Sequence, residues 1–486
     1  MLFNSITYAI FLAIVFVLYW FVFQRNLKLQ NFFIVVASYV FYGWWDWRFL
    51  LLIAFTSFCS WGSAELMQRI DNQKITAPLF SRKLLNVSNI ILNLGILGLF
   101  KYYNFFVDSF VSAFASIGIH IQSNTLHIIL PVGISFYTFQ ALSYSIDVYQ
   151  RKIESTKDIV AFFAFISFFP LLVAGPIERA KNLLPQFYVK RNFDYEKAVD
   201  GMRQILWGLF KKVVIADNCS IYVNQIFANY HDLSGGELLL GAIFFAFQVY
   251  GDFSGYSDIA IGTARLFGFN AMRNFNYPFF SRDLAEFWRR WHISLTTWFR
   301  DYLYYPLGGS RVSKMKVIRN TFIIYLVSGF WHGANWTFIV WGAYNALLFL
   351  PLILLNKNRK NTNTVAEGKL LPSIIDVLQM GKTFLLMLLG FVIFRAETLT
   401  GGVEYLGRMM DITSYSLAHI KDMEIFQNLA LIFIMMTVEW FQRTKQHALD
   451  LAKLKSHVLK YTIYLVIIAL IFVFYAHSQA FIYFQF

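Results

Sequence analysis

The chain has 486 residues, 57% of them apolar and only 14% charged, where a soluble domain carries about a quarter charged residues. With 54 Phe, 27 Tyr and 13 Trp, and with charges gathered between apolar runs of bilayer-spanning length, the composition excludes a soluble multidomain enzyme and a disordered chain and describes an integral membrane protein. The formal charge of +14 then needs no nucleic acid as partner, because basic cytoplasmic loops account for such an excess, and the two cysteines, Cys59 and Cys219, sit in apolar runs and can build neither a disulfide framework nor a cysteine metal site.

In chain order, 2–23 is longer than the apolar core of a signal peptide, has no basic start and no small-residue cleavage site, and precedes Arg25 and Lys28. It is an expected uncleaved first span with the N-terminus outside. Further spans are predicted at 31–45, 49–68, 84–106, 128–149, 202–228, 237–264, 317–334, 336–356, 374–394, 427–442 and 460–477, twelve in all. The loops this places inside carry Arg69, Lys74, Arg82 and Lys83, then Arg151, Lys152 and Lys157, then Lys357, Arg359 and Lys360, and finally Arg443, Lys445, Lys453 and Lys455. Those placed outside are poor in them, as the positive-inside rule requires: 107–127 and 229–236 hold no Lys or Arg, and 395–425 holds three against five Asp and Glu. One apolar stretch, 159–175, has basic residues on both sides and is interrupted by Pro170. It is read as re-entrant, which is tolerable only where protein surrounds it; a tilted full span is the alternative.

The largest non-spanning part, 265–319, carries ten Arg and Lys against three acids. Within it Leu284, Phe287, Trp288, Trp291, Leu295, Trp298, Phe299 and Tyr302 recur at helical spacing, so an amphipathic helix lying at the inner leaflet is predicted, with His292 at the edge of its apolar stripe. No separate soluble domain remains, and 1–486 is read as a single integral-membrane domain. The fold class is therefore all-α and polytopic, with eleven or twelve spans plus re-entrant and interfacial helices.

Ionisable groups inside a membrane are costly, and each marks a candidate site. No charged residue occurs between Arg319 and Lys357, so the chain enters and returns there, and His332 lies about 20 Å along the entering helix. Around it run Ser328-Gly-Phe-Trp331-His332-Gly-Ala-Asn335, with small residues for close approach and the Asn335 amide expected one turn on. A buried neutral imidazole can take a proton from a hydroxyl, as acyl transfer to an alcohol requires; a histidine that merely bonds a neighbouring helix is the alternative that position alone leaves open. His292 by itself reads more readily as an interfacial anchor or a packing residue than as a functional group.

Two further polar constellations stand in apolar runs. Asp252 and Asp258 lie six residues apart in 237–264, as site carboxylates or as structural partners of Arg265 or Arg273. Tyr137 and Gln140 belong to a set between Gly133 and Asp147 that lines a passage or hydrogen-bonds between helices. There is no metal-site spacing, phosphate loop, dinucleotide fingerprint or serine nucleophile elbow.

The run from Phe287 through Trp291-His292 and Arg300-Asp301 to Gly308-Gly309, followed by Gly329-Phe-Trp331-His332-Gly333, resembles the membrane-bound O-acyltransferase superfamily, in particular its bacterial alginate O-acetylation branch. Ser38 to Trp45, the Gly133 to Asp147 segment, Ala174-Gly-Pro-Ile177, Leu183-Leu-Pro-Gln186, Asp252 to Asp258 and the terminal Phe481 to Phe486 extend the resemblance from end to end. It implies a multi-pass enzyme of a bacterial cytoplasmic membrane with a tunnel, His332 as the essential intramembrane histidine and His292 as a second on the cytoplasmic side. Asn335, Trp331, Asp252, Asp258, Tyr137, Gln140, Arg289 and Arg290 become candidate tunnel residues, and no metal is implied. It further implies no tightly bound cofactor, an acetyl donor that is coenzyme A or the phosphopantetheine of an acyl carrier protein, and an extracytoplasmic acetyltransferase partner that passes the group to a polysaccharide. D-Alanyl transfer to teichoic acid and peptidoglycan O-acetylation are alternatives within the superfamily, and a proton-coupled transporter or flippase is the remote one from another class.

Overall fold

The computed structural model describes residues 1–73, 81–121, 125–126, 129–416, 423–475, 479 and 481–482. Of the sequence expectations, Lys74, parts of the 107–127 loop, residue 128, residues 476–477 and the last four residues lie outside these. The fold is helical, and among the described residues no strand occurs. Helices cover every one of the twelve expected spans, and seven are by themselves long and apolar enough to cross a membrane. Apolar solvent leaves the backbone no partner but itself, which makes these runs helical. Short polar residues punctuate them: Ser5, Asn26, Ser81, Asp158, Ser373, Thr398 and Ser456 each accept a hydrogen bond from the first turn of the helix that follows.

The residues group into two compact units, Met1–Ala198 with Ala264–Ala271, and Val199–Thr263 with Met272–Phe486. The first holds α1 (Ile6–Val17, continued by a π-helical turn Leu18–Val22), α2 (Leu27–Gly43), α3 (Arg48–Asp71), α4 (Arg82–Ala115), α5 (Ile134–Tyr149), α6 (Ile159–Ser167), α7 (Phe169–Leu172) and α8 (Ala180–Leu183). At nine residues, α6 extends about 14 Å, under half of a hydrocarbon core of about 30 Å. The chain breaks at Phe168, and Pro170 opens α7. Phe162, Phe165, Phe168 and Phe169 are fully buried there. Gln140 donates to the Phe165 carbonyl at 2.9 Å and Ser38 Oγ accepts from Phe169 N–H at 3.1 Å, so protein groups satisfy the irregular backbone. This agrees with the re-entrant reading of 159–175.

The second unit takes in most of α9 (Tyr195–Leu209, continued by the π-helical turn Phe210–Ala216), then α10 (Asp217–Ala228), most of α11 (Gly235–Leu266), α12 (Leu284–Arg290), α13 (Ile293–Phe299, continued by a π-helical turn Arg300–Tyr304), α14 (Lys314–His332), α15 (Trp336–Leu354), α16 (Ile374–Arg395), α17 (Leu399–Met410), α18 (Met423–Phe441) and α19 (His457–Phe474). α11 is almost wholly enclosed by protein, whereas α19 leaves most of its apolar surface outside, as a lipid-facing helix does. The single amphipathic helix expected over 284–302 is corrected: it stops at Trp291-His292 and restarts. Apolar spacing survives such a break, because each half keeps its own buried stripe.

α14 and α15 form an antiparallel pair in contact along their length. Their closeness depends on two glycines, since a Cβ on Gly329 would meet the Phe338 carbonyl and one on Gly342 the Tyr325 carbonyl. Gly342→Val is therefore expected to separate the pair and lower stability by about 1–3 kcal/mol, read as a lower midpoint of thermal unfolding in detergent, while Leu347→Val on the exposed face of the same helix leaves the midpoint where it was. Equal midpoints for the two variants would refute this account of the packing.

Candidate active site

His292 occupies the break between α12 and α13 with φ +43°, the left-handed region that a non-glycine residue adopts only when held there. Asn274 holds it. The Asn274 carbonyl accepts from Ile293 N–H at 2.8 Å, and Asn276 N–H donates to the Arg290 carbonyl at 2.9 Å, so the chain before α12 is tied to both sides of the break. Asn274 Oδ1 accepts from Ser294 N–H at 3.3 Å and Ser294 Oγ at 2.9 Å, and its amide donates to Ser257 Oγ on α11 at 3.0 Å. A backbone N–H can only donate, which fixes the orientation of this amide. His292 Nδ1 lies 3.1 Å from the same oxygen and is therefore the protonated nitrogen, leaving the lone pair on Nε2. The ring is buried against Phe253, Phe275 and Trp331. His292 thus lies in protein interior rather than at a headgroup edge.

His332 is the last residue of α14, where Gly333 ends the helix in extended backbone. Its buried imidazole sits among the rings of Trp331 and Trp341, each 5.1 Å away, and Phe394 at 5.4 Å. Trp331 meets both imidazoles, at 5.9 Å from His292. A cavity of about 290 Å³ is lined by both histidines together with Trp288, Trp291, Tyr325 and Ser328. Its other wall residues include Arg289, Arg300 and Arg359, which are exposed. It therefore joins a basic rim to a floor of two buried imidazoles in an aromatic setting. Such a floor presents ring nitrogens that can exchange a proton with a hydroxyl, while the rim attracts anions.

The other expected residues distribute unevenly. Arg289 is on the rim, donating to the carbonyls of Asn358 and Asn361. Arg290 is buried beside it but bonds Glu286 at 2.9 Å and is absent from the cavity wall. Asn335 is not one turn beyond His332, since the helix has ended: it caps α15 through Thr337 N–H and donates to the Glu397 carbonyl. Trp331 packs against the imidazoles without lining the cavity. Asp252 binds Lys212 at 2.7 Å and Asp258 binds Lys211 at 2.6 Å, in place of the arginines considered from sequence. Neither carboxylate is among the residues of the cavity wall. Tyr137 and Gln140 belong to the first unit, where α5 is buried along its length and hydrogen-bonds to its neighbours.

Sequence reading missed Asn274 and the buried partners Lys211, Lys212, Asp217 and Glu439. Lys212 also binds Asp217 at 2.7 Å, and Glu439 accepts from Tyr250 at 2.8 Å. Two adjacent lysines inside the expected span 202–228 were a readable signal, by the same rule that singled out His332. Asn274, in an irregular segment, offered none.

A family model described as the membrane-bound O-acyltransferase family matches residues 151–374, which include both histidines. The chain is 42% identical over 373 residues to a probable alginate O-acetylase of Pseudomonas aeruginosa, covering 76% of this chain and 68% of that one. It is 38% identical over 434 residues to a protein of the same description from Pseudomonas putida, covering 89% and 85%. It is also 34% identical over 426 residues to a peptidoglycan O-acetyltransferase of Helicobacter pylori, covering 82% and 77%.

Burial pushes the His292 imidazole down to about 3, so it stays neutral throughout the range of roughly pH 5 to 8 in which an ordinary histidine titrates. Replacing the amide at 274 by a carboxylate stabilises the imidazolium and raises that value. The wild-type rate is expected to show no loss from His292 protonation across this range. In Asn274→Asp an acid limb should appear, with activity falling as pH drops through the raised value. A pH–rate profile of unchanged shape in a folded Asn274→Asp protein would remove His292 from the chemistry.

Proposed function

The chain belongs to the membrane-bound O-acyltransferase family, and from that premise we propose that it takes an acetyl group from a cytoplasmic thioester and passes it across a bacterial cytoplasmic membrane for O-acetylation of an exported or cell-envelope polysaccharide. The observation that carries this reading is the one cavity shared by an exposed arginine rim and two buried histidines. A thioester on coenzyme A or on the phosphopantetheine of a carrier protein combines an anionic body with a thin, largely neutral arm. The anionic part suits Arg289, Arg300 and Arg359, and the arm suits the aromatic interior.

In the step itself the oxygen of an acceptor hydroxyl attacks the thioester carbonyl carbon; the C–O bond forms, the C–S bond breaks and the thiol leaves. The hydroxyl proton passes to His332 and from it to the departing thiolate, so the imidazole ends as it began. His292, with its lone pair on Nε2, borders the same space as a second acceptor of protons or hydrogen bonds. Asn274 acts through His292 and is a positioning residue. The acceptor hydroxyl belongs either to the polymer or to an extracytoplasmic acetyltransferase that relays the group.

Membership of an acyltransferase family removes the transporter reading. Among acyl transfers, the identities of 42% and 38% to probable alginate O-acetylases favour polysaccharide acetylation over peptidoglycan O-acetylation or D-alanylation of teichoic acid. The distribution of basic loops supports an orientation with the N-terminus outside and the arginine rim toward the cytoplasm.

His332→Ala is expected to leave the protein folded in the membrane and to lower acyl transfer by at least about 10²–10⁴-fold, the worth of a positioned general base. Mass spectrometry of the exported and envelope polymers, comparing a deletion strain complemented with wild type or His332→Ala, reads this directly. Loss of acetyl esters supports the proposal, loss of alanyl esters alone redirects it to teichoic acid, and unchanged acetylation in the variant refutes the role of His332.

A further inference from the structure

A second cavity, in the first unit, takes no part in the chemistry above. It is a groove of about 380 Å³ whose wall includes Trp20, Lys190, Arg191, Lys197, Arg265 and Gly268. Four cations face a single carboxylate, Asp194, which lies 3.6 Å from the Lys197 ammonium. An anion is the occupant this charge favours.

Arg191 is what makes the groove a built site rather than a scatter of surface lysines. Its residue surface is 6% exposed, yet it lines the groove. Its terminal nitrogens are oriented by neutral oxygens: Gln30 Oε1 at 3.0 Å, Asn31 Oδ1 at 2.6 Å and the Gln186 carbonyl at 3.1 Å. The guanidinium lies over the rings of Tyr19, Phe187 and Phe269, the last at 4.8 Å. A guanidinium fixed in this way in the groove wall is suited to a phosphate oxygen.

The surroundings of the groove choose the source of that phosphate. Tyr188, Val189, Phe193 and Tyr195 expose 45%, 64%, 45% and 68% of their surfaces, interleaved with Lys190 and Lys197. Exposed aromatics alternating with lysines are the pattern of a segment at the headgroup level of a bilayer, where rings meet the upper acyl chains and ammonium groups meet phosphates. Beside an aqueous anion the same rings would have no reason to be outside. Trp20, whose indole N–H is fixed on the Leu266 carbonyl at 3.0 Å, adds a rigid apolar wall.

We propose that this groove binds the headgroup of an anionic phospholipid, with the phosphate held by Arg191, Lys190, Lys197 and Arg265 and the glycerol and first acyl carbons against Trp20 and the exposed rings of 188–195. The site belongs to the bilayer that contains the protein, and it is separate from the donor cavity.

The full-length protein in detergent micelles is titrated with phosphatidylglycerol, with phosphatidylcholine of the same acyl chains, or with inorganic phosphate, and retained lipid is counted by native mass spectrometry while thermal midpoints are recorded. Phosphatidylglycerol is expected to be retained and to raise the midpoint, with phosphatidylcholine and inorganic phosphate doing neither. Lys190→Gln/Lys197→Gln, at two exposed positions that do not threaten folding, should weaken retention about twenty-five-fold, near fivefold for each surface cation. Lys453→Gln/Lys455→Gln, which removes the same charge elsewhere, should leave it unchanged. Equal retention of the two lipids, equal loss in both double variants, or a response to inorganic phosphate without one to phosphatidylglycerol would each overturn the assignment.

Discussion

The arrangement of the second unit depends on a helix that stops for one residue. The left-handed turn at His292 is unfavourable by about 1–2 kcal/mol for a residue with a Cβ, and the hydrogen bonds from Ile293, Ser294 and His292 to a single asparagine, Asn274, offset it. One continuous helix would keep position 292 at the margin of an apolar stripe. The break turns that position inward, beside Phe253 and Trp331, and brings an imidazole to the cavity that His332 reaches from the end of α14. The clamp that holds the turn also selects the tautomer. Fold and the proposed chemistry therefore share one side chain that itself only positions another.

The same unit contains two different answers to polar groups in a low-dielectric interior. Lys211, Lys212, Asp217, Asp252 and Asp258 are ionisable groups closed on one another at 2.6–2.7 Å. Such pairs are retained only when nearly every charge has a partner at contact, and a charge satisfied in this way has little left to offer a substrate. The histidines are enclosed by rings instead. Imidazole tolerates burial as the neutral base, and a neutral base in a dry aromatic setting is what proton removal from a hydroxyl needs. Burial and ionisability alone would not separate the two groups; the identity of their neighbours does.

Much of the helical frame was legible because apolar run length and loop charge are one-dimensional signals, and Pro170 with basic flanks even exposed the broken segment at 159–175. His332 was legible for the same reason, as a lone ionisable residue in 37 uncharged ones. What escaped was set by pairing across the fold. Asn274 carries no periodicity, and its partners lie on either side of a helix break that spacing cannot reveal, since both halves of 284–302 keep their apolar stripe. Asp252 and Asp258 were visible as buried carboxylates, but only packing against the π-helical turn at 210–216 identifies Lys211 and Lys212 as their partners.

The two cavities differ in a way that follows from the same electrostatics. In each, basic side chains stand in the wall, arginines alone in the second unit and arginines with lysines in the first, and each cavity therefore favours an anion. In the first unit the wall itself includes a guanidinium fixed by neutral oxygens, so the proposed phosphate meets an oriented charge. In the second unit the exposed guanidinium groups stay at the rim and the depth ends on neutral imidazoles. Charge there can dock a ligand but finds no cation further in, where a desolvated anion meets rings, imidazoles and a few hydroxyls such as those of Thr321 and Ser328. Only an uncharged portion of the ligand fits the interior, and an acyl thioester is uncharged. In the proposed transfer, the polarity of the cavity thus separates the part of a donor that is recognised from the part that reacts.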